Sequence, residues 1–544
     1  MNPPRIKRAH GGVRGADLSR GSLLFDGPFG RMFRTLPAAD FGADEAANNS
    51  NFAALASQMN GDFAAKDGPD AEESGIPAAY TYLGQFIDHD LTFDPASSLQ
   101  KQNDPDALED YRTPKFDLDN VYGRGPDDQP YMYCTGTGVN AAQLVRGTAL
   151  TGAATNPNAT DLPRAANGRA IIGDPRNDEN KIVSQMQGLF HRFHNRVAKD
   201  NPTWQFQRVQ QEVRFHYQWV VLHDFLERIV SKKVLEKVVR FDGHRTNITT
   251  EFFHARDLAY MPLEFSAACY RFGHSMVRPG YRLNDGDDAL LPIFAAGPSM
   301  AGGKATDLRG FEPPQSDLAI DWNRFADLSP LAYGTLVDNP DPTLPANRNR
   351  LQLAYKIDTS LVGGLSTLPD SVASNPNILA LRNLQRGWRM RLPSGQDVAR
   401  AMGVIPLTDD EIKIGKFTGD PTDLKGSNAD FGDGSFANNC PLWIYTLAET
   451  RHHVEKVKVV TTEGDKFIDT PKLGAVGGRI VAETIAGLIQ YDSYSFVSLD
   501  PLWTPTRDVG AGKPRSVSYA ASDGSFRLKD LIAAALGDGT ATAC

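Results

Sequence analysis

Apolar residues recur at helical spacing in several stretches of this chain. In residues 180–199, Ile182, Met186, Leu189, Phe193 and Val197 follow one another at steps of three and four, which puts them on one face of a helix. A second helix is predicted to follow. Asn201 or Thr203 is placed to cap it, Pro202 suits its first turn, and Val209, Val213, Tyr217 and Val220 form its buried stripe. The pattern runs on through 221–238 with a break near Ser231. Residues 77–93 read as a helix with two acids around a histidine, and 260–277 as a further apolar segment. Helical patterning returns at 347–364, 377–391, 395–402 and 473–490. Residues 95–170, 284–345 and 404–440 are dense in turn-forming residues and predict loops, the second of them a long surface excursion. Residues 1–75 read as an irregular arm, and neither a series of strand hairpins nor an internal repeat is evident. The expected fold is mainly α: one large helical unit over 76–544, with long loops and little β structure.

Composition changes this picture little. Of 544 residues, 41% are hydrophobic and 23% charged, as in ordinary globular domains. A net charge of −9 without a basic stripe argues against nucleic acid as a partner. No run of about 18 apolar residues occurs, so no membrane span is expected. The basic N-terminus lacks the apolar core of about 7–15 residues of an ordinary secretory signal, which leaves the compartment open. Cys134, Cys269, Cys440 and Cys544 form no CxxC pair and are too few for a disulfide framework. Cys269, in an apolar run, is expected to be a buried free thiol.

Several polar clusters carry candidate chemistry, each with a plainer alternative. On the 77–93 helix, Gln85 and His89 share a face, and His89 is flanked by Asp88 and Asp90. Buried charge needs a partner, so this is either a reactive centre or a hydrogen-bonded core histidine beside an ion pair. Asp174, Arg176 and Glu179 lead into the 180–199 helix; from these residues alone helix capping is the simpler reading, and a catalytic arginine and acid the other. His274 follows an apolar stretch and can project into a cavity or simply pack. His191 and His194 lie three apart, but without an evident third ligand they read as packing residues. Thr113, the Lys115 carbonyl, Asp117 and Asp119 place oxygens at alternate positions and, with Asp90, can enclose a hard cation; an Asx-rich turn explains the same residues.

Together and in this order, the motifs resemble the animal-type haem peroxidases of the peroxidase–cyclooxygenase superfamily, as in a bacterial-like relative of lactoperoxidase and myeloperoxidase. The matching stretches are GQFIDHDLTF at 84–93, TPKFDLDNVYG at 113–123, GDPRNDEN at 173–180 with FHNRVA at 193–198, RFGHSMVRPG at 271–280 and NLQRG at 383–387. The resemblance implies a haem enzyme that reduces hydrogen peroxide through a ferryl state and oxidises small donors such as iodide, bromide, thiocyanate or phenols. It makes His89 the distal histidine, Arg176 the distal arginine and Gln85 the distal glutamine. His274 becomes the ligand of the haem iron, with Asn383 accepting a hydrogen bond from its other ring nitrogen. Arg271 and Arg386 would meet the propionates of haem b, and Asp88 and Glu179 would form ester links to its methyl groups. Asp90, Thr113, Lys115, Asp117 and Asp119 would bind Ca2+. Imidazole, with an ordinary pKa of about 6.5, can take and return the peroxide proton near neutral pH.

Asn180 stands where myeloperoxidase carries a methionine bonded to the haem, so that third link cannot form here and the site should resemble lactoperoxidase. Two other functions compete. A fatty-acid dioxygenase of the same superfamily would carry its radical tyrosine three residues before the proximal histidine, where this chain has Arg271; Tyr270 is one position early. A calcium-binding interaction protein that kept only the fold would have no need of both His89 and Arg176.

Overall fold

The computed structural model describes residues 29–61, 64–92, 112–134, 136, 138–255, 259–335, 344–418, 420, 421, 423, 425–506 and 518–537. It is mainly helical, and its strands among the described residues occur as separate two-stranded pairs. Helix α1, Glu45–Gln58, starts where the Asp44 side chain accepts from the amide of Ala47 at 2.8 Å. Strand β1, Glu73–Pro77, leads into α2, Ala79–Leu91, which is buried on nearly every side. The long α3, Lys181–Asp200, is capped by Asn180, whose side chain accepts from the amide of Ile182 at 2.8 Å. Next come α4, Phe206–Val220, which continues into a π turn at Val221–Phe225, and α5, Lys232–Val238. Strand β2, Leu353–Tyr355, precedes α6, Leu379–Arg389, α7, Gly395–Ala401, and α8, Leu442–Ala448. The hairpin of β3, Val454–Val459, and β4, Lys466–Pro471, is followed by α9, Gly477–Tyr491, and α10, Leu528–Leu536.

One contiguous hydrophobic cluster holds residues from Phe29 to Ala535. At its centre Phe86 of α2 stacks on Phe190 of α3 (ring centroids 4.4 Å apart, planes at 5°), and Tyr217 of α4 meets both rings edge-on. Such aromatic pairs contribute about 0.5–1.5 kcal/mol each beyond the area they bury. This triangle fixes α2 against α3 and α4, and so sets the position of His89, one turn beyond Phe86.

Four expectations are corrected. Part of the stretch read as an irregular arm is the helix α1; residues 1–28 lie outside the described residues. Residues 347–364 are not a helix: β2 pairs antiparallel with β1 (Leu353 opposite Pro77, Tyr355 opposite Glu73), flanked by one-turn helices at Pro345–Arg348 and Gly363–Ser366. The 284–345 excursion is not all surface, since Leu291, Leu308, Leu318, Ile320, Trp322 and Phe325 are buried. Finally, Asn201 closes α3 instead of opening α4, which begins beyond Pro202 after Gln205, without a side-chain cap. Cys269 is a buried free thiol, as expected.

Candidate functional site

His89 and His274 reach the same cavity although they are 185 positions apart in the sequence. The cavity is about 340 Å³, within the usual range of ligand sites. From α2 and the turn before α3 come Gln85, Asp88, His89, Glu179 and Asn180; from the tight helical turn Cys269–His274 come Tyr270, Arg271 and His274. Ile293, Phe294, Leu365 and Leu379 supply apolar wall.

His89 is buried. Its Nδ1 lies 2.7 Å from Asn177 Oδ1, and its Nε2 lies 3.5 Å from Glu179 Oε1. Gln85 Nε2 donates to the same Glu179 oxygen at 2.5 Å, so the three residues form one polar group at the cavity wall. Arg176 is beside this group but is not among the residues lining the cavity. Its guanidinium donates to Asp174 (2.8 Å) and to the main-chain oxygens of His89 (3.1 Å) and Thr92 (2.5 Å). Burial alone would raise the Asp174 carboxyl, but the Arg176 and Arg112 guanidiniums outweigh it and hold it well below the usual range. The buried Asp174 therefore accounts for the direction Arg176 takes.

His274 is half-buried, and desolvation together with the neighbouring Arg271 pushes its pKa down to about 3, so the ring is neutral at physiological pH. Asn383, on α6, has Nδ2 2.8 Å from His274 Nδ1, while its Oδ1 accepts from Arg271 Nη1 at 3.1 Å. This reverses the expected polarity, in which Asn383 accepts from the ring. The reason is that a guanidinium can only donate and so claims the amide oxygen. For His274 Nε2 to bind a metal, the ring proton must move to Nδ1 and Asn383 must turn its oxygen toward it. Burial, then repulsion from Arg386, lowers the Arg271 pKa to about 10, which marks this wall as a place short of negative charge. Arg386 lies one turn beyond Asn383 on α6. An anionic, flat ligand with an imidazole-binding metal suits these features, and haem is such a group.

The second cluster lies behind α2. Carboxylate oxygens of Asp90, Asp117 and Asp119 all lie within 4.8 Å of one another and can hold a metal ion. Asp90 is fully buried, and its Oδ1 has no hydrogen-bond partner. Burial, and then Asp117 and Asp119, raise the Asp90 carboxyl well above its usual range; Asp119 is pushed up to about 6, chiefly by burial. Leu118 between the two acids takes a left-handed backbone (φ 58°), a conformation that costs a leucine energy and bends the loop around the cluster. Thr113 Oγ1 donates to Asp117 at 2.9 Å, and Lys115 directs its ammonium to Asp492 (3.6 Å), leaving its carbonyl for any ion.

His191 and His194 form no metal pair. His191 contacts Gln187 (3.0 Å) and the Val145 carbonyl, His194 contacts Tyr122 (3.0 Å) and the Ala142 carbonyl, and burial lowers both to about 4. Two further residues belong to the site, Asn177, which sequence reasoning passed over, and Tyr270, which it set aside as one position early. Asn177 holds His89, but in GDPRNDEN it reads as one more capping residue. Tyr270 lines the cavity and donates to the Gly84 carbonyl at 3.2 Å, because the tight turn at 269–274 places it there in spite of its early position. Among the described residues no helix is long and apolar enough to cross a membrane.

Comparison with known proteins points the same way. Residues 100–293 match the sequence model of the animal haem peroxidase family, a stretch that holds Thr113–His274 but neither Gln85–Asp90 nor Asn383. A dual oxidase of Drosophila melanogaster is 27% identical over 124 residues, covering 21% of this chain and 7% of that protein. The human peroxidasin homolog is 28% identical over 132 residues, 23% of this chain and 8% of that protein. The chain thus aligns with less than a tenth of either relative's length. The solved structure of peroxidase A from Dictyostelium discoideum is 14% identical, with a TM-score of 0.50 over 91% of this chain and 96% of that one, a likeness of fold. Over residues 100–293 this chain is thus similar in sequence to the animal haem peroxidases, and its fold is like that of peroxidase A.

Proposed function

We propose that the chain is a haem peroxidase that reduces hydrogen peroxide and oxidises small donors such as iodide, bromide, thiocyanate or phenols. The observation that carries this reading is that His89 and His274 open into one cavity, each with its Nδ1 engaged by an asparagine. Haem b, with its iron bound to His274, would supply the two-electron reduction of the O–O bond. His89 Nε2 would take the proton of incoming peroxide and return it to the departing oxygen. Gln85 would orient that peroxide. Arg176 would contribute fixed positive charge and hold the end of α2 through the carbonyls of His89 and Thr92. Arg271 and Arg386 suit the haem propionates, and Asp88 and Glu179 suit ester links to haem methyl groups. With Asn180 in place of methionine, the closer analogue is lactoperoxidase. Calcium at Asp90, Thr113, Lys115, Asp117 and Asp119 would brace α2 immediately behind His89.

Tyr270 at the cavity wall supports a second reading, a fatty-acid dioxygenase. The two readings part in one experiment on the hemin-loaded chain. Peroxide-dependent iodide oxidation that is lost in His89→Ala supports the peroxidase; oxygen uptake with a fatty acid and no iodide oxidation supports the dioxygenase.

A further inference from the structure

Two indoles lie behind the wall that carries His274. Trp443 of α8 is buried, and its Nε1 donates to the main-chain carbonyl of Arg271 at 3.3 Å. The Arg271 guanidinium bonds to Asn383, and Asn383 meets the ring of His274, so Trp443 is joined to the histidine through hydrogen bonds and one short turn of chain. Trp388 of α6 is only half-buried, and its Nε1 donates to Asp40 Oδ1 at 3.0 Å at the protein surface. Trp443, Trp388 and Asn383 line one small cavity of about 10 Å³, closed by Leu384 and Gly387. The two rings thus lead in sequence from the His274 wall to solvent.

We propose that Trp443 and Trp388 form a relay that delivers single electrons from donors too large for the 340 Å³ cavity. This rests on the haem-peroxidase reading, and it adds a second substrate class oxidised at the surface. Hydrogen peroxide is the oxidant: it takes two electrons and two protons and leaves as two waters. Each electron passes from the donor to Trp388, from Trp388 to Trp443, and from Trp443 to the wall that carries His274, where haem, when bound, would take it up. With reduced cytochrome c as donor, two ferrous haems become ferric for each peroxide consumed. Indole is among the most readily oxidised side chains, and its one-electron-oxidised form is a cation. An adjacent carbonyl dipole and a carboxylate both lower the energy of that cation, and Trp443 and Trp388 have one of each. Asp40 can also accept the Nε1 proton and return it when the ring is reduced again.

The test uses the full hemin-loaded chain with iodide as the small donor and reduced cytochrome c as the large one. Trp388→Phe is expected to slow cytochrome oxidation at least about tenfold while iodide oxidation stays within about twofold. Trp388→Tyr, which keeps an oxidisable ring, should restore much of the lost rate; a purely structural role would not order the variants this way. Peroxide alone should raise an electron paramagnetic resonance signal that narrows when the chain contains ring-deuterated tryptophan and that disappears in Trp443→Phe. If the wild-type chain oxidises iodide but not cytochrome c, or if Trp388→Phe oxidises both at wild-type rates, the relay is wrong and the peroxidase reading stands. If neither donor is oxidised, both are wrong.

Discussion

Asn177 Oδ1 lies 2.7 Å from Nδ1 of His89, and the amide of Asn177 is itself fixed, because its Nδ2 donates to Gln187 Oε1 at 2.8 Å. Gln187 in turn points its own Nε2 at His191 (3.0 Å) and the Asn120 carbonyl (3.3 Å). The chain of donors leaves Asn177 only its oxygen for His89, so the neutral ring carries its proton on Nδ1 and keeps the lone pair of Nε2 for the cavity. Asn177→Leu removes this control. It is expected to slow peroxide consumption by about 10–100-fold with unchanged haem content. Stopped-flow mixing with peroxide measures this, and a wild-type rate would remove Asn177 from the account.

Calcium should stabilise the folded chain. Three carboxylates converge with a buried, unbonded Asp90 oxygen among them, and a divalent ion would relieve both features. At about a hundredfold excess over its dissociation constant, a ligand of the native state adds about 2.7 kcal/mol. Thermal unfolding should therefore shift upward when calcium is added after chelation, and Asp117→Asn should abolish the shift. A melting temperature indifferent to calcium in the wild type would dismiss the site.

A different pair of acids makes stability depend on pH. Glu72 and Asp358 are buried together; burial, then the Asp358 carboxylate, raises Glu72 from 4.5 to about 8, and burial raises Asp358 from 3.8 to about 7. The folded state thus holds protons that the unfolded chain releases. The stabilisation is complete below about pH 4, and it is lost as pH rises through about 7–8. Melting temperature should fall between pH 6 and pH 9, and Glu72→Gln should flatten that fall. Parallel pH profiles for the two proteins would contradict the assignment.

The proposed attachment of haem through Asp88 and Glu179 would have a direct chemical consequence. One methyl group, one carboxylic acid and one peroxide give one ester and two waters, so each link consumes one peroxide. After peroxide treatment, acidified acetone should leave haem on the wild-type chain and release it from the double variant Asp88→Val, Glu179→Gln. Complete extraction from the wild type would refute the links.

The helices with regular stripes were legible. The steps from Ile182 to Val197 place a helix at 180–199, within a residue of α3 at each end, and α6 and α9 follow from the same rule. Other features depend on distant partners. Leu353–Tyr355 becomes a strand because Glu73–Pro77 lies beside it, and Arg350 binds the buried Glu73 there, a pairing invisible to local periodicity. The β3–β4 hairpin did leave a signal, the alternation of Val454, Lys456 and Lys458 with Glu455, Val457 and Val459, and it was passed over among helical neighbours. At the site, ordered motifs brought out His89, His274, Gln85, Glu179 and Asn383, which the fold does gather around one cavity and its wall. The direction of Arg176 was not legible, because it follows from burial of Asp174 against Arg112. Asn177 was missed because a residue type common at helix ends gives no sign that its oxygen faces a histidine.

The most direct measurement is the absorption spectrum of the hemin-loaded chain, taken with and without one equivalent of peroxide and repeated for His274→Ala. The account predicts a Soret band typical of histidine-bound ferric haem that shifts on peroxide addition, and the loss of both features in the variant. A wild-type spectrum no different from free hemin, or one left unaltered by His274→Ala, would contradict it.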